Sequence, residues 1–192
     1  MTLKYEFDKG FTIDFDLLTG FSKMGESTKR KLSDMKGMYR NEADYENLSK
    51  EENPLIYEFY ELGAPHNKGD LAFGTSITYP GKVGNEYFMT KGHFHTELET
   101  AEVYYCLSGL GYMMMENPEG DWKVEELTPG KVIYVPKCYA HRSINIGNTP
   151  FVTFFVFRAD AGHDYMTIET KGFRHLVVEK DGKPEIISNS KW

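Results

Sequence analysis

The chain of 192 residues has only two cysteines, Cys106 and Cys138, and no apolar run long enough to cross a membrane. Its longest strongly apolar stretch, 151–157, has seven residues, which suits a buried strand, whereas a membrane helix needs about 20. The N-terminus also lacks the apolar core and small-residue cleavage site of a secretory signal. We therefore expect a cytoplasmic protein without membrane partners. Both thiols should be free, because disulfides are rare in a reducing cytoplasm.

Positive charge is also scarce. The chain has 22 Lys and Arg against 29 Asp and Glu, a formal net charge of −7. A protein that binds nucleic acid needs a basic surface to neutralise phosphates, so the composition argues against polynucleotide partners. A small anionic ligand remains possible, because one pocket can be positive on an acidic protein.

Aromatic residues and turn formers are abundant, with 13 Tyr, 13 Phe, 18 Gly and 8 Pro. Aromatic side chains favour strands, and short strands between frequent turns are typical of all-β sandwiches and barrels. A short helix is expected from Asn41, as its N-cap, to about Ser49. A hairpin is expected around Asp181-Gly182. The strand-like runs are 55–62, 73–79, 86–94, 101–107, 112–116, 131–135 and 151–157.

Three histidines and one glutamate suggest a metal site. His93 and His95 are two residues apart, so on a strand both imidazoles face the same side. Glu102 opens the next strand, and His141 follows a turn containing Pro136 at the end of another. Three imidazoles and a carboxylate suit divalent Mn, Fe, Ni, Co or Zn. An octahedral ion would keep two open positions, as catalytic sites do. A lone His-x-His pair, however, is often only a surface feature.

The spacing around these residues resembles the two sequence motifs of the cupin superfamily. Six residues separate His95 from Glu102, where the family usually has three or four, which implies a longer turn. The second motif resembles the stretch from Gly130 through Pro136 and His141 to Asn145. The resemblance implies that His93, His95, Glu102 and His141 bind one metal inside a barrel.

Longer segments are similar to the cupin-type glucose-6-phosphate isomerases, from about residue 30 to the C-terminal tail. The most specific are Thr-Lys-Gly-His-Phe-His at 90–95 and Ala-Asp-Ala-Gly-His-Asp-Tyr at 159–165. The others are 79–84, 101–104, 134–136, 140–142 and 145–147. The resemblance implies interconversion of glucose 6-phosphate and fructose 6-phosphate with one divalent metal per chain, iron first and Mn, Ni, Co or Zn as alternatives. It also implies a homodimer with the N-terminal strands in its interface.

The expected fold is all-β, a single jelly-roll-like cupin β-barrel with short N-terminal strands and one or two short helices. One domain, 1–192, would comprise an N-terminal extension at 1–69, a barrel core at about 70–160 and a C-terminal hairpin at 173–192.

The resemblance also implies catalytic roles. An aldose–ketose isomerase moves hydrogen between C1 and C2 of an open-chain sugar. An enediol route needs a base close to both carbons, for which Glu102 is the candidate, whereas a hydride shift needs none. The sequence leaves both routes open. His163 and Tyr165 are the candidates for ring opening and proton shuttling.

Substrate binding is expected at Ser76, Thr90, Gly92 and Tyr104. The first three resemble the family's phosphate contacts, in which backbone amides and small hydroxyls form a cradle. Strand alternation sets Thr90 opposite His93, so Thr90 reaches the pocket only if the chain bends near Gly92.

One departure from the family falls at residue 157. Where the family often has a Tyr, this chain has Phe157, so one hydroxyl donor is missing. The neighbouring Arg158 faces the other way if the strand is regular, and it then cannot replace that donor.

Three other functions remain open at this stage. The first is an isomerase that prefers or also accepts mannose 6-phosphate. The second is a non-catalytic cupin that binds a sugar, although the chain has no DNA-binding domain that a regulator would need. The third is a metal-dependent dioxygenase, which would leave the phosphate cradle and the 163–165 segment without a purpose.

Overall fold

The computed structural model of the protein describes residues 5–23, 25–63 and 67–192. Thirteen strands and two α-helices follow one another in these ranges, with a 3-10 helix at Leu32–Met35. The strands are β1 Thr28–Lys31, β2 Leu55–Leu62, β3 Leu71–Thr78, β4 Lys82–Val83, β5 Glu86–Tyr87, β6 Glu102–Ser108, β7 Gly111–Glu116, β8 Trp122–Leu127, β9 Val132–Val135, β10 Ala140–Asn145, β11 Phe151–Arg158, β12 His175–Lys180 and β13 Lys183–Ser188. The helices are α1 Glu42–Glu51 and α2 Met166–Lys171.

The strands form antiparallel sheets, as the all-β prediction requires. A six-stranded sheet has the order β1-β2-β3-β11-β6-β9, and the others have the orders β10-β7-β8 and β13-β12-β5-β4. Bridges from Met89 to Ile144 and from His93 to His141 join the chain that follows β5 to β10. The three-stranded sheet faces the large sheet across the barrel interior, because Met113 and Met115 of β7 pack against β6 and β11.

The methionines of β7 show how strand alternation fills the cores on both faces of this strand. Met113, Met114 and Met115 are all buried. Met114 belongs to a core with the N-terminal elements and β12, whereas Met113 and Met115 belong to a second core against β6 and β11. Successive side chains of a strand point to opposite faces, so one strand supplies both cores.

Several local predictions are confirmed. The Asn41 side chain caps α1 by accepting a hydrogen bond from the amide of Asp44. Strand β2 has the predicted bounds, and β12 and β13 form the hairpin around Asp181-Gly182. Both cysteines are free.

The strand predicted at 86–94 is wrong. Regular pairing ends at Tyr87, and the chain to Phe94 makes only isolated bridges. The prediction that His141 follows a turn containing Pro136 at the end of a strand is confirmed, because β9 ends at Val135. His141 itself is the second residue of β10, a strand that the predicted runs did not include. A turn at Pro136–Tyr139 separates β9 from β10, and these two strands belong to different sheets.

The domain bounds stay a prediction, but part of the expected extension at 1–69 lies in the large sheet. Strand β2 pairs with β3 from Tyr57↔Thr78 to Leu62↔Phe73, and β1 pairs with β2. No helix in the described part of the chain is both long and apolar enough to span a membrane.

Candidate active site

Backbone pairing places His93 beside His141. The two residues form an antiparallel bridge, with hydrogen bonds of 3.3 Å from the His93 amide to the His141 carbonyl and 3.1 Å in the reverse direction. Their imidazole centroids are 4.6 Å apart. Residues 48 positions apart in the sequence are thus held as neighbours by main-chain bonds.

The chain bends just before His93, at Gly92. The φ angle of Gly92 is +74°, a left-handed conformation that glycine adopts at little cost. The bend interrupts strand alternation, and Thr90 and His93 consequently both line the same pocket. The structure therefore has the bend that Thr90 needs to reach the pocket.

The other two ligand candidates face His93 and His141. Glu102 is the first residue of β6, paired with Val135 on one side. Its Oε2 lies 2.8 Å from Nε2 of His141 and 3.1 Å from Nε2 of His95. One ligand atom from each of the four residues lies within 4.8 Å of the others. The predicted quartet is therefore assembled at one point.

The turn after His95 orients its ring. His95 Nδ1 lies 2.7 Å from Thr100 Oγ1 and 3.2 Å from the Thr100 carbonyl oxygen. The Thr100 hydroxyl donates in turn to the Glu97 carbonyl at 2.7 Å. Such partners on the outer nitrogen fix how a histidine presents its other nitrogen to a metal. The longer gap between His95 and Glu102 is thus a turn that supplies this support.

One buried nitrogen in the quartet, Nε2 of His93, lacks a hydrogen-bond partner among the described residues. A buried polar atom normally has a partner, because leaving it without one costs free energy. His93 belongs to the four residues whose ligand atoms lie close together, so a bound ion would give this nitrogen its missing partner. The donor set, three imidazoles and a carboxylate, fits a divalent transition metal.

The local pKa shifts give the protonation states that a metal needs. Burial disfavours ionisation of Glu102, but the adjacent His141 and hydrogen bonding from His141 and His95 outweigh it, so the pKa of Glu102 lies below its usual value. Burial lowers the pKa of His93 well below its usual value, and His141 and His163 lower it further. At neutral pH the site has an ionised carboxylate and a neutral His93 imidazole, the forms that bind metal.

A second bridge brings the 163–165 segment to this site. Phe94 and Asp164 exchange backbone hydrogen bonds of 3.1 and 2.8 Å. The flanking residues then point toward the ligands: the His163 ring centroid is 4.4 Å from that of His93, and Tyr165 is 5.4 Å from it. Burial lowers the pKa of His163, so its imidazole is neutral at neutral pH.

These side chains line one pocket. It brings together all the predicted substrate-binding residues, Ser76, Thr90, Gly92 and Tyr104, and the predicted catalytic ones. His95, a predicted ligand, lies just behind this lining. The Tyr104 ring is 5.6 Å from that of His141, and burial followed by the Glu102 charge raises the pKa of Tyr104 well above its usual value.

Position 157 agrees with the sequence interpretation. Phe157 lines the pocket, with its ring centroid 5.2 Å from His163 and 5.9 Å from His95. The next side chain, Arg158, pairs instead with Asp160 through two hydrogen bonds. Arg158 therefore does not replace the missing hydroxyl.

Six lining residues were not predicted as site residues. These are Tyr57, Phe59, Glu61, Arg142, Ser143 and Phe155. Ser143 could have been found if β10 had been recognised, since it follows His141 by two residues on one strand and so shares its face. Arg142 is adjacent to His141 on β10, so strand alternation predicts that its side chain faces away from the pocket. Only the packing around Gly92 explains why Arg142 is among the lining residues.

Comparison with known proteins confirms the predicted family resemblance. The family model described as glucose-6-phosphate isomerase (GPI) matches residues 29–190. The glucose-6-phosphate isomerase of Thermococcus litoralis is 45% identical over 190 residues, 99% of each chain. That of Pyrococcus furiosus is 45% identical over 183 residues, 95% of this chain and 96% of the other. Among solved structures, an oxalate oxidase in complex with the substrate analogue glycolate has a TM-score of 0.50 at 14% identity, covering 61% of this chain and 58% of that one. This last similarity concerns the cupin fold alone.

Proposed function

Because the chain belongs to the cupin-type glucose-6-phosphate isomerase family, we propose that it interconverts glucose 6-phosphate and fructose 6-phosphate with one divalent metal. The observation that carries the metal requirement is the convergence of His93, His95, Glu102 and His141 on one point beside His163. We propose iron as the physiological ion, with Mn, Ni, Co and Zn as possible substitutes.

The four ligands leave room for substrate oxygens if the ion is octahedral. A divalent ion held there would supply Lewis-acid polarisation of the sugar carbonyl and fix the positions of the two sugar oxygens. The chain itself keeps the ligand atoms in place through the His93–His141 bridge and the Thr100 support of His95. This preorganisation avoids a rearrangement when substrate binds.

Glu102 and His163 have different roles, metal ligation and proton transfer. A base on the enediol route must accept a proton, and Glu102 is a weak base because its pKa is low and two imidazoles contact its Oε2. We assign Glu102 mainly to metal ligation. His163 is neutral and can accept or return a proton during ring opening. Tyr165 lies 5.8 Å away, ring centroid to centroid, and its hydroxyl extends the same proton path.

The phosphate is assigned to the segment around Gly92. The Thr90 hydroxyl accepts a hydrogen bond from the Ser143 amide at 3.0 Å, and its own hydrogen has no acceptor among the described residues. That hydrogen, the Ser76 hydroxyl and the backbone at Gly92 can donate to phosphate oxygens.

We also propose a homodimer. Tyr105, Val132 and Tyr134 are 39%, 62% and 62% exposed. The register of β6 and β9 places them on one outer face of the large sheet. The N-terminal Leu18 is 77% exposed and its carbonyl accepts a hydrogen bond from Ser108, at the end of β6. Contiguous apolar surface of this kind commonly marks an interface. Light scattering should give a dimer for the wild type and a monomer for Val132→Lys with Tyr134→Lys.

The function is tested with a coupled assay of the metal-loaded protein against fructose, glucose and mannose 6-phosphates. Turnover of the first two, its loss on chelation and its return with a divalent transition metal are expected. Turnover restricted to mannose 6-phosphate would instead favour a different sugar preference. Binding of all three without turnover would favour a non-catalytic sugar-binding cupin.

A further inference from the structure

Arg142 follows a predicted metal ligand but holds a different part of the pocket. It is 2% exposed, and its NH2 group donates a hydrogen bond to the Lys91 carbonyl at 2.5 Å. Its NH1 group lies 2.9 Å from the Met89 sulfur. The guanidinium therefore fixes the peptide that immediately precedes Gly92.

The Gly92 bend is packed against this side chain. A Cβ atom at Gly92 would lie 2.7 Å from the Phe173 ring and 3.0 Å from the Arg142 Cβ. The Arg142 guanidinium carbon lies 4.1 Å from the centroid of the same Phe173 ring. Arg142, Phe173 and the 90–92 segment thus form one packed unit, so the position of the segment depends on the guanidinium.

The charge of Arg142 has no close carboxylate. Glu86 and Glu116 act on it electrostatically, but neither forms an ion pair with it within 4.0 Å in the described residues. Glu86 accepts instead from the Arg40 amide, and Glu116 from the Arg174 amide. The Nε atom is buried without a partner in the described part of the chain. A buried cation that lacks a counterion is costly.

Arg142 is the only Arg or Lys among the described residues that line the pocket. The nearby Lys91 ammonium is turned away and pairs with Glu169 at 2.7 Å. Arg30 is not part of this lining, although its charge acts on Tyr57 and Tyr165, which are. A negative group bound at the 90–92 segment, beside the free Thr90 hydroxyl, would therefore lie next to the buried charge of Arg142, which is hydrogen-bonded to that segment. This arrangement suits a phosphorylated sugar and gives no advantage to the same sugar without phosphate.

We propose that Arg142 is a positioning and specificity-determining residue, which fixes the 90–92 segment through the Lys91 carbonyl and supplies the buried positive charge that selects phosphorylated substrates. The proposal rests on the proposed function, because it assumes that a sugar phosphate occupies the pocket. It assigns Arg142 no contact with the reacting carbons.

The test compares Arg142→Met and Arg142→Lys with the wild type. Arg142→Met should raise KM for fructose 6-phosphate and the inhibition constant of inorganic phosphate by about 10- to 100-fold, as loss of a hydrogen-bonded charge does. Metal content and kcat should remain within about threefold, since the interaction acts on binding rather than on the chemical step. Arg142→Lys keeps the charge but loses the fork geometry, so it should give an intermediate increase.

The matched control is Arg158→Met, which removes an arginine paired with Asp160 outside the pocket. It should leave all these parameters unchanged. Thermal unfolding will show whether Arg142→Met folds. If it does not, Arg142→Lys is compared with the wild type instead.

Unchanged KM and phosphate inhibition in a folded, metal-loaded Arg142 variant would overturn the proposal and leave the isomerase function standing. A parallel fall in metal content and kcat with normal phosphate inhibition would also overturn it, because Arg142 would then only support the fold of the metal site. A wild type without isomerase activity would overturn the proposed function itself.

Discussion

The two segments that contribute histidines to the candidate metal cluster differ in how they are built. Residues 140–145 form a regular strand, fully paired with β7 from Ala140↔Glu116 to Asn145↔Gly111. Residues 90–95 form no strand and are held by isolated bridges, a glycine bend and the Arg142 hydrogen bond. Both nevertheless contribute candidate ligands to the same cluster. The proposed metal ligation is therefore shared between a regular and an irregular element. Of the proposed phosphate contacts, Thr90 and Gly92 belong to the irregular one and Ser76 belongs to β3.

The largest expected effect is common to both segments. His141→Ala and His93→Ala should each lose metal and reduce activity by more than about 100-fold, beyond the 10- to 100-fold typical of residues that only support a ligand. Metal analysis of the purified variants, alongside kcat/KM, measures this.

The control is His175→Gln, because His175 stacks on Trp122 on a neighbouring sheet and belongs to neither segment. Full metal occupancy in His141→Ala would show that the regular strand supplies no ligand.

The second effect concerns Gly92, the glycine of the irregular segment. In Gly92→Ala the left-handed backbone and the Cβ contact with Phe173 at 2.7 Å both oppose the native conformation. Gly130 has a φ of +93° and nothing within 4 Å of the position that a Cβ atom would take, so Gly130→Ala isolates the backbone cost. Urea unfolding should show that Gly130→Ala lowers the free energy of unfolding by about 1–2 kcal/mol. Gly92→Ala should lose about 1–3 kcal/mol more from overpacking.

Equal losses for the two alanine variants would mean that the space around Gly92 relaxes freely. The bend would then not depend on its packing against Arg142 and Phe173.

A smaller effect is expected from the Thr90 hydroxyl. Thr90→Val removes a donor to phosphate, which should cost about 1.5–3 kcal/mol of binding. The expected signature is a raised KM for fructose 6-phosphate with kcat roughly kept, as for uniform binding. Thr170→Val, on the exposed face of α2, is the control. Unchanged kinetics in Thr90→Val would place the phosphate elsewhere.

The smallest effect concerns acid stability without metal. His93 and His163 have pKa values lowered by burial, so below about pH 6.5 the unfolded chain binds protons that the folded chain does not. Each group therefore reduces the free energy of unfolding as pH falls from 6.5 toward its folded pKa, by at most about 1.4 kcal/mol per pH unit. Chelated His163→Gln should lose less stability than the chelated wild type between pH 7.5 and 5.5. An equal loss would contradict the burial of a neutral His163.

The sequence predicted the metal quartet and most of the barrel for a physical reason. A His-x-His pair, a later carboxylate and a third histidine have few chemical uses in combination, and their spacing resembles a known family. The Met run of β7 and the hairpin near Gly182 also follow from strand periodicity and turn chemistry.

The sequence did not predict features that depend on contacts between distant segments. Residues 86–94 are rich in the aromatic residues that favour strands, but the Gly92 bend is decided by packing against Phe173 and Arg142, 81 and 50 positions away. The role of Arg142 shares this origin, since its position in β10 alone points it away from the pocket. Strand β10 was missed because its apolar and polar residues do not alternate: all six, from Ala140 to Asn145, are buried.

The central claim is that the quartet of His93, His95, Glu102 and His141 binds one metal that isomerisation requires. The most direct measurement titrates the chelated wild type with Fe²⁺ under anaerobic conditions while fructose 6-phosphate turnover and bound metal are followed together. The account predicts no turnover at zero metal and a linear rise that ends at one ion per chain, with far-ultraviolet circular dichroism unchanged throughout. Full turnover in the metal-free protein would contradict it.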